Sequence, residues 1–204
     1  RIETLFLTYI HKHHPQFKNV PLWYDRETEF PIEGGDILVL SEQIIAIGYS
    51  ERTSAKAIEV LAKKILAADS NKFNKILVFA IPKIRAFMHL DTVFTMVDFD
   101  KFTVHPTATG PMSVYELTLP KTDGELNIEH SKNELSKVLA KNLGVPSVKL
   151  LECGNGDPII SGREQWNDGS NTLAIAPGTV VVYDRNNITN DLLEKHGLKI
   201  LEIP

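Results

Sequence analysis

The segment that decides the fold spans residues 172–203 and reads TLAIAPGTVVVYDRNNITNDLLEKHGLKILEI. It predicts two strands, a helix and a closing strand, which we place at Thr172–Ala176, Val180–Asp184, Thr189–His196 and Leu198–Ile203. Pro177-Gly178 supplies the turn between the two strands, and Gly197 ends the helix. Short strands that alternate with a helix favour an α/β unit of ββαβ order.

The same order of elements occurs twice earlier in the chain. The first copy is predicted at strands Asp36–Leu40 and Ile44–Gly48, a helix over about Ser54–Ala68 with Ser50 or Thr53 as its cap, and strand Lys75–Ile81. The second copy is predicted at strands Asp91–Asp98 and Lys101–His105, an ordinary insertion at about Pro106–Ile128, a helix from Ser131 to Leu143, and strand Val148–Cys153. We therefore predict modules at about residues 33–81, 89–153 and 168–204, arranged as blades around an axis.

Composition excludes several classes of protein. The chain has 204 residues, of which 43% are hydrophobic and 24% charged, as in ordinary globular domains. Its net charge of −4 provides no basic stripe for nucleic acid. Apolar runs are strand-sized and too short to span a membrane. The single cysteine, Cys153, excludes an internal disulfide, so we expect a cytoplasmic protein.

Two short motifs contain candidate catalytic residues. Glu33 stands before Gly34-Gly35, where backbone without side chains lets a ligand approach closely, although a solvated turn would have the same residues. His89 and Asp91 are two positions apart at the predicted start of a strand, so both side chains would point to one side while Leu90 faces the core. A structural His–Asp hydrogen bond or a partial metal site would show the same spacing.

Other polar residues have weaker patterns. Arg52 falls between a strand and a helix, where a guanidinium can bind a carboxylate. The stretch Arg163–Asn171 is dense in donors and acceptors and favours a positioned loop. The histidines at positions 11, 13 and 14 lack companion acidic or cysteine ligands, so no metal site is predicted. Cys153 ends an apolar strand and is interpreted as structural.

Three segments together resemble the bacterial arginine deiminases, and the resemblance covers essentially the whole chain. They are Met88–Met96, Ile32–Asp36, and Gly162–Asn171 followed by Leu173–Gly178. The resemblance implies an incomplete α/β-propeller, with about three of the five ββαβ modules of a ring. It also implies an enzyme that hydrolyses L-arginine to L-citrulline and ammonia, without cofactor or metal.

The resemblance further implies a role for each candidate residue. His89 would be the general acid/base, Glu33 and Asp91 would bind the guanidinium, and Arg52 would hold the substrate α-carboxylate, with Gly35 also lining the substrate site. These groups suit the chemistry, because carboxylates hold a planar guanidinium and a histidine can pass a proton to departing ammonia. We expect the acidic residues and His89 to converge on one cavity, with Arg52 at its rim and the Arg163–Asn171 loop nearby.

The chain also departs from the family pattern. The family's nucleophilic cysteine lies in a Gly/Arg-rich segment that this sequence lacks, and a further active-site aspartate would precede Arg1. We therefore expect a fragment that is inactive alone and that self-associates into a homo-oligomer through its open edges. Alternatives are another guanidine-modifying enzyme, such as an agmatine deiminase or a dimethylarginine hydrolase, and a non-catalytic propeller-type binding protein.

Overall fold

The computed structural model describes residues 2–84, 86–108, 112–120 and 124–204, and it has an α/β architecture. The helices of the described residues are α1 (Ile2–His13), α2 (Ala55–Ala67), α3 (Leu135–Leu143), α4 (Pro158–Gln165) and α5 (Asn187–Lys195). Their strands are β1 (Ile37–Val39), β2 (Ile44–Tyr49), β3 (Lys75–Ala80), β4 (Phe94–Asp98), β5 (Lys101–Val104), β6 (Ser113–Thr118), β7 (Asn127–Ser131), β8 (Lys149–Glu152), β9 (Leu173–Ala176), β10 (Thr179–Tyr183) and β11 (Lys199–Ile203).

Each of the three sheets contains the predicted ββαβ order. In the first, β1 pairs with β2 antiparallel, α2 follows, and β3 returns parallel to β2. The second repeats this with β4, β5, α3 and β8, and the third with β9, β10, α5 and β11. The helix between the parallel strands supplies the crossover that a parallel pair needs. Whether the units belong to a ring remains a prediction.

The region predicted to be an ordinary insertion instead forms two strands, so that prediction was wrong. Strand β6 pairs antiparallel with β3 and β7 pairs with β6, which widens the first sheet to five strands. Strand β6 was not predicted because it carries a charged residue, Glu116. This side chain is 8% exposed and is ion-paired to Lys75 Nζ at 2.9 Å. Residues 109–111 and 121–123 of the predicted insertion lie outside the described part of the chain. Ser131 ends β7 rather than starting a helix, and α3 begins at Leu135.

The stretch Arg163–Asn171 was predicted to be a loop, but its first three residues belong to helix α4. Asp157 caps this helix by accepting hydrogen bonds from the backbone N–H groups of Ile159 and Ile160. The helix has no apolar stripe, since it buries Ser161, Glu164 and Gln165. A search for hydrophobic periodicity therefore misses it.

The N-cap of α2 also differs from the prediction. Ser54 caps this helix by accepting from the backbone N–H of Ala57, whereas Ser50 and Thr53 bond elsewhere. The helix itself packs its apolar face on the first sheet, as its spacing predicted.

Three stacked phenylalanines join the first and second sheets. The ring of Phe94 lies 5.3 Å from that of Phe79 on β3 and 4.7 Å from that of Phe102 on β5, centroid to centroid. All three side chains are fully buried, and each contributes about 2–3 kcal/mol through removal of apolar surface from water. This packing fixes the start of β4 beside the start of β1. No described helix is long and apolar enough to cross a membrane.

Candidate active site

Two short 3₁₀ turns position the candidate residues. The turn Gly34–Asp36 lies immediately before β1 and is preceded by Glu33, while the turn Leu90–Thr92 lies shortly before β4 and is preceded by His89. His89 and Asp91 were predicted to lie at the start of a strand, which was wrong: Asp91 is inside the turn. The turn nevertheless buries Leu90 between them, so both polar side chains project to the same side.

The structure brings Glu33, His89 and Asp91 together. The Nε2 atom of His89 lies 2.6 Å from Oε2 of Glu33, and its Nδ1 atom lies 3.8 Å from Oδ1 of Asp91. The side chains of the three residues are 25%, 18% and 26% exposed, respectively. The imidazole is therefore held between two half-buried carboxylates, a position from which it can accept or release a proton.

Gly35 makes this approach possible. A Cβ atom at position 35 would lie 2.8 Å from both Oδ2 of Asp91 and Cγ of His89, so these side chains would have to shift to admit it. Position 34 is different, because a Cβ atom there would meet nothing within 4 Å. Glycine at position 35 thus lets the side chains of His89 and Asp91 pack directly against the backbone.

Arg52 contacts the cluster directly and, with 36% of its side chain exposed, is its most exposed member. Its Nη1 atom is 3.2 Å from Oε2 of Glu33 and 3.5 Å from Nε2 of His89, and its Nη2 atom is 3.3 Å from Sδ of Met88. Nε2 of His89 cannot donate to Glu33 and accept from Arg52 at once, and the 2.6 Å distance to Glu33 identifies it as the donor. Arg52 therefore binds Glu33 and lies beside the imidazole. The cluster accommodates a guanidinium.

Asp91 is the electrostatically unusual member of the site. Burial raises the pKa of its carboxyl group, the negative charges of Asp36 and Asp168 raise it further, and the neighbouring His89 and the Thr92 backbone N–H oppose the shift. No described residue donates a hydrogen bond to its buried Oδ1 atom. A cationic donor would satisfy that oxygen and favour the charged form of the carboxyl group.

The Arg163–Asn171 stretch reaches the site through a residue that the sequence did not single out. Gln165 Nε2 donates to the carbonyl oxygen of Thr92 at 2.6 Å, so the end of α4 supports the turn that carries Asp91. Asp168 of the same stretch acts on Asp91 through its charge. Nothing in a single sequence marks Gln165, because its role depends on a contact across 73 positions.

Cys153 and the N-terminal histidines do not form part of the Glu33–His89–Asp91 cluster. Cys153 is fully buried, and its Sγ atom lies 3.4 Å from the hydroxyl of Thr189. Burial raises the pKa of its thiol, which disfavours the thiolate that a nucleophile needs. His11 and His13 lie on α1, and the described residues contain no group of three or more His, Cys, Asp and Glu that could hold a metal ion.

The sequence also missed three polar residues behind the site: Asp36, Ser50 and Thr53. The Asp36 carboxylate is completely buried and accepts hydrogen bonds from the hydroxyls of Ser50 and Thr53 at 2.7 and 2.6 Å. The sequence features that could have indicated them are the aspartate directly after Gly34-Gly35 and the Ser-x-x-Thr pattern at positions 50–53. The latter was interpreted as a helix cap.

Similarity to known proteins covers the whole chain. A curated arginine deiminase from Bacillus cereus is 56% identical over 100% of this chain and 50% of its own length. Arginine deiminases from Clostridium perfringens and Treponema denticola are 52% and 51% identical, each over 99% of this chain and over 49% and 50% of their own lengths. The chain therefore spans about half the length of the curated relatives it matches.

Solved structures share the fold at low identity. An amidinotransferase of the saxitoxin biosynthetic pathway from Microseira wollei superposes with a TM-score of 0.54 at 18% identity, over 98% of this chain and 55% of that one. An inosamine-phosphate amidinotransferase from Streptomyces griseus gives 0.50 at 16% identity, over 98% and 53%. The family model described as arginine deiminase matches residues 1–204, and the chain belongs to the arginine deiminase family.

Proposed function

We propose that these 204 residues form part of an arginine deiminase, which hydrolyses L-arginine to L-citrulline and ammonia. The observation that carries this proposal is the guanidinium of Arg52, held 3.2 Å from Glu33 beside His89. It supports the view that the cluster binds a planar cation of the same kind as the substrate. The 51–56% identity to curated arginine deiminases along the whole chain supports the substrate assignment.

In the proposed complex, the substrate guanidinium takes the place that the Arg52 guanidinium holds beside Glu33 and His89. Asp91 offers a buried oxygen that receives no hydrogen bond from the described residues, so a guanidinium N–H would complete it. Arg52 would leave Glu33 and turn to the substrate α-carboxylate. The move is favoured because the substrate guanidinium replaces the Arg52 guanidinium as the partner of Glu33, so the carboxylate keeps a cationic donor.

The proposed chemical steps are those that the resemblance to arginine deiminases implies, with His89 as the acid/base group. A cysteine thiolate attacks the guanidinium carbon, and His89 gives a proton to the departing nitrogen, which leaves as ammonia. The resulting thiouronium reacts with water, from which His89 takes a proton, and the C–S bond breaks to release citrulline and the thiolate. Glu33, which accepts from His89 at 2.6 Å, keeps the imidazole oriented in both steps.

The proposed nucleophile is not Cys153. This residue is the single cysteine of the sequence, it is fully buried, and burial raises its thiol pKa. The thiolate would be supplied from outside these 204 residues, so the isolated chain is expected to form no citrulline.

We also propose a cytoplasmic homo-oligomer whose modules are part of a five-module ring. The three ββαβ units of the described sheets and the fold shared with two amidinotransferases support the architecture. All four residues of β9 are exposed, and such a strand needs a neighbour to cover its apolar side chains.

The function is tested with the full-length protein, by assaying arginine, agmatine and dimethylarginine in parallel. We expect one citrulline and one ammonia per arginine, and a fall in kcat of about 10²–10⁴-fold for His89→Ala. Turnover of agmatine or dimethylarginine without turnover of arginine would assign the protein to a related enzyme. Binding of arginine without any turnover would favour a non-catalytic binding protein.

A further inference from the structure

The carboxylate of Asp36 lies behind the proposed site, in the first sheet, and is completely buried. Its Oδ2 atom accepts from the hydroxyls of Ser50 at 2.7 Å and Thr53 at 2.6 Å, and its Oδ1 atom accepts from the backbone N–H of Leu90 at 2.8 Å. A buried carboxylate is costly unless donors surround it, and three donors do so here. The fold has therefore built a specific place for this charge.

Each of these donors is attached to one part of the active site. Leu90 separates His89 from Asp91, so the bond to its N–H fixes the turn that carries both side chains. The hydroxyl of Thr53 donates to Asp36 and accepts from the backbone N–H of Glu33 at 3.1 Å. The network thus reaches three of the four clustered residues through two of its branches.

The third branch leads to the fourth residue. The hydroxyl of Ser50 donates to Asp36 and accepts from the backbone N–H groups of Arg52 at 3.1 Å and Thr53 at 3.0 Å. Each hydroxyl uses its one proton toward the carboxylate and its lone pairs toward backbone, so the hydrogen-bond directions are mutually consistent. A neutral side chain at position 36 could not receive all three donors in this way.

The chain also leaves room for this carboxylate. A Cβ atom at Gly48, on β2, would lie 2.3 Å from Oδ1 of Asp36 and 2.9 Å from Cβ of Leu90. Glycine at that position therefore admits both the aspartate and the turn that it holds, a requirement that the strand alone would not impose.

We infer that Asp36 is a positioning residue, which sets the relative places of Glu33, Arg52, His89 and Asp91 through Ser50, Thr53 and the Leu90 backbone. This inference rests on the proposed function for its kinetic consequences. It extends that function because Asp36 touches no substrate and acts only through other groups. Misplacement of catalytic groups by about 1 Å is enough to cost about 10²-fold in rate, so the network has a measurable effect.

Separate branches give separate kinetic signatures in the full-length enzyme. Thr53→Val, which releases Glu33, is expected to lower kcat by about 10–100-fold, whereas Thr53→Ser keeps the hydroxyl and stays within a few-fold of wild type. Ser50→Ala, which releases Arg52, should raise KM for arginine more than it lowers kcat. The matched control is Thr103→Val, which removes another buried threonine hydroxyl. Thr103 lies on β5 of the second sheet, and its hydroxyl donates to the carbonyl oxygen of Ser170 at 3.0 Å. This variant should lose stability without losing kcat.

Backbone amide exchange tests the network independently of activity. In Asp36→Asn, exchange is expected to accelerate at the backbone amide of Leu90 but not at amides of the third sheet. If Asp36→Asn does not fold, Thr53→Val should accelerate exchange at the amide of Glu33 in the same way. If the wild type has no deiminase activity, the proposed function fails while this measurement still decides the inference. Unchanged exchange at both amides, or an equal loss of kcat in Thr53→Val and Thr103→Val, would overturn it.

Discussion

His89 and Glu33 are 56 positions apart in the chain, yet Nε2 of His89 lies 2.6 Å from Oε2 of Glu33. The two residues come from the turns that precede different sheets, and the Phe79–Phe94–Phe102 stack brings those turns together. A donor–acceptor distance this short is typical of a charge-assisted hydrogen bond. Packing of the core therefore decides the orientation of the proposed acid/base group.

The first prediction follows from this pair. Glu33→Gln removes the charge that holds His89 and should lower kcat for arginine by about 10–100-fold with a small change in unfolding temperature. The matched control is Glu51→Gln, which removes an exposed carboxylate close in sequence and should keep normal turnover. Steady-state kinetics of both variants provide the measurement, and equal kcat values would contradict a role for Glu33.

The second prediction concerns pH and Asp91. Burial raises the pKa of this carboxyl, and a bound guanidinium would lower it again, so proton and substrate compete for the same group. As pH falls through the pKa of the free protein, Asp91 takes up a proton and kcat/KM should fall, by at most about tenfold per pH unit. Above that pKa the carboxylate is charged and binding is at its strongest. The acidic limb should therefore lie above the ordinary aspartate value of 3.8.

Asp91→Asn isolates this effect. It should weaken arginine binding at neutral pH and remove the acidic limb assigned to Asp91, and calorimetry in two buffers should show loss of the proton release that accompanies binding near the pKa. An acidic limb that is the same in Asp91→Asn and wild type would show that another group titrates.

The repeated ββαβ order could be predicted because its signals are local. The run Thr179–Tyr183 is rich in β-branched residues, and glycine follows α3 and α5 at positions with positive φ, Gly144 and Gly197. Short motifs made the residues of the cluster candidates, and the resemblance to arginine deiminases assigned them to one site. Their distances could not, since these depend on how two sheets pack.

What the sequence could not reveal depends on long-range pairing. Strand β6 carries the buried Glu116, which looks like a solvent-facing residue until Lys75 is placed beside it at 2.9 Å. Asp36 accepts a hydrogen bond from the backbone N–H of Leu90 across 54 positions, so the aspartate after Gly34-Gly35 could not be assigned its role from local sequence. Buried charges are the usual exceptions to hydrophobic patterning. Here one lies on a strand that the pattern missed, and the other joins the segments that carry the candidate site.

The third prediction compares two adjacent glycines. Gly35→Ala places a Cβ atom 2.8 Å from atoms of His89 and Asp91, so these side chains must shift, and kcat should fall by about 10²-fold. Gly34→Ala meets nothing within 4 Å and should change the free energy of unfolding by no more than about 0.5 kcal/mol. Neither glycine has a positive φ, so the comparison isolates steric contact. Equal behaviour of the two variants in kinetics and thermal unfolding would refute the assigned contact.

The fourth prediction concerns Arg52, which binds Glu33 at 3.2 Å in the structure and is proposed to bind the substrate α-carboxylate. Arg52→Gln should raise KM for arginine by about 10–100-fold, since a hydrogen bond to a charged group is worth about 1.5–3 kcal/mol. The same variant should bind free guanidine more tightly. Guanidine has no carboxylate for Arg52 to bind, so the substitution removes no contact from it, and the Arg52 guanidinium no longer competes with it for Glu33. Inhibition constants for guanidine measure this second effect. Parallel loss of both ligands would mean that Arg52 holds the site together instead.

The last prediction concerns Cys153. Its Sγ atom lies in a closed space, since a Cβ atom at Gly169 would come within 2.7 Å of it, and burial raises the pKa of its thiol. In the full-length enzyme Cys153→Ala should therefore keep kcat within a few-fold of wild type and cost about 1–3 kcal/mol of stability through the cavity that it leaves. Iodoacetamide should label this thiol only after unfolding, because the folded protein shields it and keeps it protonated. Mass spectrometry of the labelled peptide gives the test. Loss of kcat beyond about a hundredfold in a folded Cys153→Ala enzyme would make Cys153 catalytic. Rapid labelling of the native chain would contradict the shielding of its thiol.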